Sequence, residues 1–358
     1  MKQGWGIKKI KEICDKASSN IAQNKITELD GDYPVFGASG FVQNVDFYHR
    51  STEYIGIVKD GSGVGRVNVY PAYSSLLGTL QYILPKEGYA LNYVAYALKS
   101  LNLASFTSGA AIPHIYFRDY GEVEIAVPPL AEQERIVGIL DREFERIDAL
   151  KANAERNLQH AKDLFQSALK QELQPKEGWV RSLISEISEN LDYRRVPVTK
   201  KDRKAGIYPY YGASGIVDYV DNFLFDEDLL LVSEDGANLV ARSTPIAFSV
   251  SGKIWVNNHA HILRFPNIEL QRYVEYIFAN YDISEFVTGA AQPKFNQRAL
   301  NNIVITYPNE RSEQKEVVAR LDELKEHCSA LEENYTKTIT LCDDMKQALL
   351  RKAFNGEL

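Results

Sequence analysis

The sequence predicts an α+β protein: two similar mixed domains joined by two long antiparallel coiled-coil helices, related as an internal pseudo-two-fold repeat. Three observations predict it. Motifs recur in the same order about half a chain apart, each half opens with short β-like runs, and each half closes with a long heptad pattern. Tyr33-Pro34-Val35-Phe36-Gly37-Ala38-Ser39-Gly40 returns 175 positions later as Tyr208-Pro209-Tyr210-Tyr211-Gly212-Ala213-Ser214-Gly215. Gly4-Trp5 returns as Gly178-Trp179, Tyr93-Val94 as Tyr273-Val274, and Gly109-Ala110-Ala111-Ile112-Pro113 as Gly289-Ala290-Ala291-Gln292-Pro293. The offset drifts only from 174 to 181, as small loop insertions would produce.

Residues 1–128 form the first domain. Runs such as Tyr54-Ile55-Gly56-Ile57-Val58 and Leu80-Gln81-Tyr82-Ile83-Leu84, separated by Gly, Asp and Asn turns, read as strands, with a short helix around Leu91 to Leu101. Pro128-Pro129 then opens a helix over residues 129–174, since a proline is tolerated where the first amides have no partner. Its seam runs through Leu140, Ile147, Ala154, Ala161 and Ala168, with Phe144, Lys151, Leu158 and Phe165 between. Gln174-Pro175-Lys176-Glu177-Gly178 stops it. Residues 175–308 repeat the first domain, with strands at Leu229-Leu230-Leu231-Val232 and Ala260-His261-Ile262-Leu263 and a helix around Leu270 to Ala279. Residues 309–358 repeat the helix, on Val317, Leu324, Leu331, Thr338 and Met345 alternating with Leu321, Cys328, Tyr335, Cys342 and Leu349. Five heptads make a coiled coil of roughly 60 to 65 Å at about 1.5 Å per residue. Cys328 and Cys342 then read as small buried hydrophobes.

Composition narrows the function. The 358 residues are 45% hydrophobic and 25% charged, which suits a folded chain with more than one core. No apolar run is long enough to span a bilayer, and the start lacks the pattern of a signal peptide, so a cytoplasmic location without a membrane partner is expected. Three cysteines without a CxxC pair argue against a zinc site or a disulfide framework. A net charge of −7 speaks against nucleic acid at first sight, but five of those seven excess negatives fall in the two helical segments.

Val127-Pro128-Pro129-Leu130-Ala131-Glu132-Gln133-Glu134-Arg135-Ile136-Val137 at the first junction, its reduced counterpart Tyr307-Pro308-Asn309-Glu310-Arg311 followed by Glu313-Gln314, and Gln347-Ala348-Leu349-Leu350-Arg351-Lys352-Ala353-Phe354 near the end carry a resemblance. Over essentially its whole length the chain resembles the specificity subunit of type I restriction-modification enzymes. The resemblance implies two target recognition domains that each read half of a bipartite sequence in double-stranded DNA, and helices that fix the unread gap. It also implies two modification (methyltransferase) subunits and restriction subunits as partners, and no active site or cofactor on this chain. S-adenosylmethionine, ATP and Mg would sit on the partners.

Basic, amide and hydroxyl side chains are the candidates for DNA contact. Arg194, Arg195, Lys200, Lys201, Arg203 and Lys204 form a dense cationic run, either a phosphate clamp or a solvated loop. Residues reading different half-sites should differ between the repeats, which selects His114 in the first half and Lys294, Asn296 and Gln297 in the second. Amides pair with adenine and cations with guanine in the major groove. Lys59, Ser62 and Arg66, with their counterpart over Glu234 to Arg242, complete the set. The common Gly-Ala-Ser-Gly segments, with Ser39 and Ser214, read better as tight turns than as reading loops. Gly61-Ser62-Gly63-Val64-Gly65 matches no nucleotide-binding spacing, Asp226-Glu227-Asp228 reads as a charged turn, and His259-Ala260-His261 lacks a third metal ligand. The competing classes are a coiled-coil adaptor that binds proteins through its globular ends and a stand-alone nuclease or methyltransferase. The adaptor would show no DNA affinity, and the enzyme would turn over alone.

Overall fold

A computed structural model describes residues 4–109, 113–289 and 292–358. Two compact units form: residues 1–155 with 336–358, and residues 156–335. Each long helix, Leu130–Glu172 and Arg311–Phe354, therefore belongs partly to both.

In the first unit a four-stranded antiparallel sheet runs in the order Cys14–Ser18, Leu80–Pro85, Tyr54–Val58, Val67–Tyr70. All five residues of Tyr54–Val58 are buried, as a continuous apolar run demands of a central strand. Gly56 is needed there because the ring of Tyr70 lies where a Cβ would stand, at 2.5 Å. A three-stranded sheet, Gly40–Val45, Tyr33–Gly37 and Ser75–Leu76, sits beside it in sequence, the last strand parallel. Helix Leu91–Ser100 buries Tyr93, Val94, Ala97 and Leu98.

The second unit repeats this order. Its sheet is Glu189–Asn190, Ala260–Arg264, Leu229–Ser233, Ala247–Val250, and a further four-stranded sheet is built around the hairpin Ala205–Gly212 and Gly215–Val220. Helix Ile268–Asn280 answers Leu91–Ser100. The repeated Gly-Ala-Ser-Gly segment is the tip of the hairpin in both units, with Gly40 at φ +113° and Gly215 at φ +123°. Glycine tolerates that left-handed backbone and other residues do not.

The junction motif fastens the helices. Gln133 is 1% exposed; its Nε2 donates to the Pro128 carbonyl at 2.9 Å and its Oε1 accepts from the Ala90 amide at 2.9 Å. Gln314 likewise donates to the Pro308 carbonyl at 2.8 Å. Two tyrosines repeat the same service: Tyr96 donates its hydroxyl to Asp141 and Tyr276 donates to Asp322, tying each short helix to a long one.

Within the first unit the two long helices pack antiparallel, with Lys151 bonded to Asp343 at 2.7 Å and Lys346 to Asp148. In the second unit Arg320 meets Glu172 at 2.7 Å, and Leu169 packs with Val317 and Leu321. The heptad seam needs one correction. Leu140, Ile147, Ala154 and Ala161 are buried as expected, but the next layer is Leu169 rather than Ala168. A straight helix drifts about 20° per heptad, so about four heptads displace the seam by nearly one residue. Leu331 and Met345 are exposed, whereas Val317, Leu321, Cys328 and Cys342 are buried. The series through Leu321, Cys328 and Cys342 is the better buried of the two.

Candidate nucleic-acid interface

Both units build the same two-loop frame at the end of their central strand. In the first, the Gly61 amide donates to the Pro113 carbonyl at 3.0 Å and the Ile115 amide to the Lys59 carbonyl at 3.0 Å. In the second, the Gly236 amide donates to Pro293 at 3.1 Å and the Phe295 amide to Glu234 at 2.7 Å. Bridges link Asp60 to His114 and Ser108 to His114, and in the second unit Asp235 to Lys294 and Thr288 to Lys294. The frame is common, with an aspartate in the same place, and the residue bridged to that aspartate through the backbone changes from His114 to Lys294. Ala110, Ala111, Ile112, Ala290 and Ala291, the centres of the repeated Gly-Ala-Ala segments, lie outside the described residues.

The side chains on the frames differ. In the first unit His114 bonds Asp60 through Nδ1 and lies against Tyr116, ring centres 4.1 Å apart, while the Arg118 guanidinium covers the other ring at 4.5 Å. Lys59 stays 3.9 Å from Asp60. Ser62 is exposed, and Arg66 folds back on the Ser62 and Gly63 carbonyls at 3.2 and 3.3 Å. In the second unit Lys294 is exposed and Asp235 is bonded instead by His259 at 2.9 Å. Asn296 caps helix Gln297–Asn301 by accepting from the Ala299 amide at 3.0 Å, and Gln297 donates to Asn190 at 2.8 Å. Tyr116 and Arg118 were not among the residues singled out from sequence, and His259 was weighed there only as a metal ligand. The first two lie on the divergent segment next to His114, which was the available signal.

The cationic run divides. Arg194 bonds Glu227 and covers the Phe225 ring at 4.6 Å. Arg195, whose side chain is 16% exposed, bonds Glu234 at 2.5 Å and the Ala260 carbonyl at 3.0 Å. Arg203 bonds Asp218 at 3.1 Å and lies over Tyr210. The three arginines serve the fold, while Lys200, Lys201 and Lys204 stand exposed.

Electrostatics follow these contacts. Burial pushes the Asp192 carboxyl up, but the His261 hydrogen bond and charge, the Ile262 amide and Arg195 outweigh it and hold it below its ordinary value. The Arg264 hydrogen bond, opposed by some burial and helped by Arg194, likewise lowers Glu227, so Asp226-Glu227-Asp228 is a turn anchored by arginines. Burial also raises the Cys14 thiol to about 12, which leaves it inert beneath the first sheet. No helix among the described residues is long and apolar enough to cross a membrane.

The family model of the type I restriction modification DNA specificity domain matches residues 2–159 and again 176–341, once per repeat. The StySPI specificity subunit of Salmonella potsdam is 25% identical over 331 residues, covering 80% of this chain and 69% of that protein. A putative specificity subunit of Haemophilus influenzae is 31% identical over 141 residues, covering 39% of this chain and 36% of that protein. Among solved structures, one described as the structural basis of complex assembly and conformational transition of the type I R-M system shares the fold at TM-score 0.77, with 16% identity over 100% of this chain and 99% of that one. The specificity subunit from Thermoanaerobacter tengcongensis follows at TM-score 0.59, again with 16% identity, covering 100% and 98% of the two chains. A chain with two matches to the DNA specificity domain, covering nearly its full length, belongs to the specificity subunits of type I restriction-modification systems, which contribute DNA recognition and not catalysis.

Proposed function

We propose that each unit reads one half of a two-part DNA sequence through its two-loop frame, and that the long helices set the unread gap and carry two modification subunits and the restriction subunits. One observation carries this reading: the same backbone frame recurs in both units, and the residue bridged to its aspartate differs, His114 in one and Lys294 in the other. A reader of two unlike half-sites needs that combination of common support and divergent edge. Lys294 suits the O6 and N7 acceptors of guanine, and Gln297 and Asn296 lie one turn away on the same loop. On the other unit His114, Tyr116 and Arg118 offer a donor, a ring and an exposed cation. Lys200, Lys201 and Lys204 would meet phosphates and so set register without reading bases. S-adenosylmethionine, ATP and Mg belong to the partners in this scheme.

The test is DNA binding by the assembled methyltransferase complex. Lys294→Ala is expected to lose about 1–3 kcal/mol of discrimination at one half-site, and His114→Ala a comparable amount at the other. If either change weakens binding to all sequences alike, that residue holds the backbone and does not read.

A further inference from the structure

The second unit gathers charges around buried His261, a group without a counterpart among the described residues of the first unit. Asp192, Glu234 and His261 bring ligand atoms within 4.8 Å of one another, the spacing of a metal site. Arg195 already occupies their midst, bonded to Glu234 at 2.5 Å and 3.5 Å from Asp192. Two carboxylates therefore face a guanidinium that fills the place an added cation would need.

The protons can be placed. His261 is 1% exposed; its Nε2 lies 2.7 Å from the Phe295 carbonyl, which can only accept, so Nε2 bears hydrogen. Its Nδ1 lies 2.5 Å from Asp192 Oδ2, and the other oxygen of that carboxylate accepts from the Ile262 amide at 2.9 Å. Nδ1 makes the second hydrogen bond, so the ring bridges Asp192 and the Phe295 carbonyl.

Glu234 and His261 touch the loop that bears Lys294, and Asp192 and Arg195 hold those two in place. Phe295 is held at both ends of its residue, its amide by the Glu234 carbonyl and its carbonyl by His261. Lys294 and Asn296 flank it directly. Asn190 Oδ1 accepts from both the Asp192 amide at 2.9 Å and Gln297 Nε2 at 2.8 Å, which ties Gln297 to the same cluster. In the first unit Gln81 stands where His261 does and bonds the Tyr120 hydroxyl at 2.5 Å instead, and Lys59 stands where Glu234 does. Of the two bonds that hold Phe295, its counterpart Ile115 shows the amide bond, to Lys59, among the described residues.

We infer that His261, with Asp192, Glu234 and Arg195, forms a positioning hub that sets the aim of Lys294, Asn296 and Gln297, so that the second unit's half-site is discriminated through a charge network and the first unit's is not. The hub touches no base itself, and the inference rests on the reading proposed above. A base edge is read within a few tenths of an ångström, and a loop pinned on both sides of Phe295 meets that demand.

The experiment uses the chain assembled with its modification subunits and three duplexes: the target, the target altered in the second unit's half-site, and the target altered in the first unit's. His261→Gln installs the side chain of the other repeat and breaks the bridge between Asp192 and the Phe295 carbonyl. It is expected to cut discrimination at the second unit's half-site about tenfold, the worth of about one base contact, and to leave the other within twofold. Arg195→Lys keeps the charge without the fork and is expected to fall between wild type and His261→Gln. Equal losses at both half-sites in these variants, or none at either, would overturn the inference. Lys294→Ala separates the two levels. If it abolishes discrimination at its half-site while His261→Gln does not, the hub fails alone. If Lys294→Ala has no effect, the reading itself fails.

Discussion

Arg195→Glu is expected to unfold the second unit, at a cost of about 3–5 kcal/mol, rather than to weaken DNA binding as loss of a phosphate contact would. The side chain is 16% exposed and lies between Glu234 and Asp192. Reversal would place a third carboxylate among them, with only His261 to balance the group. Hydrogen exchange on the full chain checks this by unit. Strands Leu229–Ser233 and Ala260–Arg264 should lose protection while Tyr54–Val58 and Leu80–Pro85 retain it. The same network has a pH dependence of known sign. Asp192 titrates below its ordinary value in the fold, so its contribution is present above the unfolded value and is lost as pH falls through the folded one, in the acid range below about 4.

Reversing Lys200, Lys201 and Lys204 together to glutamate is expected to do the opposite: weaken DNA binding across all sequences and leave stability near wild type. The three are exposed, and the arginines among which they lie are engaged internally. Each phosphate contact contributes about 0.9 to the slope of log affinity against log salt, so three lost contacts lower it by about 2.7. Binding measured from low to moderate salt reads this directly. An unchanged slope would remove these lysines from the interface.

The repeat, the two long helices and the central strands were legible because each rests on local pattern: a motif copied at a steady offset, a seven-residue period, a run such as Leu229-Leu230-Leu231-Val232 buried throughout. Where local pattern ends, legibility ends. The cationic run from Arg194 to Lys204 reads as one feature, yet its arginines find carboxylates 15 to 39 positions away, at Asp218, Glu227 and Glu234, and its lysines do not. His259 and His261 look equivalent in sequence, but His259 lies in the turn before strand Ala260–Arg264 and is exposed, whereas His261 lies within the strand at 1% exposure. The seam was misread at Ala168 because a period of 3.6 was treated as 3.5 over too many turns. The candidate reading positions came from comparing the repeats with each other, and that comparison also pointed at the segment bearing Tyr116 and Arg118.

The central claim is that two like units read two unlike half-sites for one methylation reaction. Single-molecule mapping of modified adenines in host DNA, with the chain present, absent, or carrying Lys294→Ala, tests it most directly. The account predicts a two-part motif with a fixed unread gap, abolished without the chain and relaxed in one half only by Lys294→Ala. A single contiguous motif, or a methylation pattern that persists when the chain is removed, would contradict it.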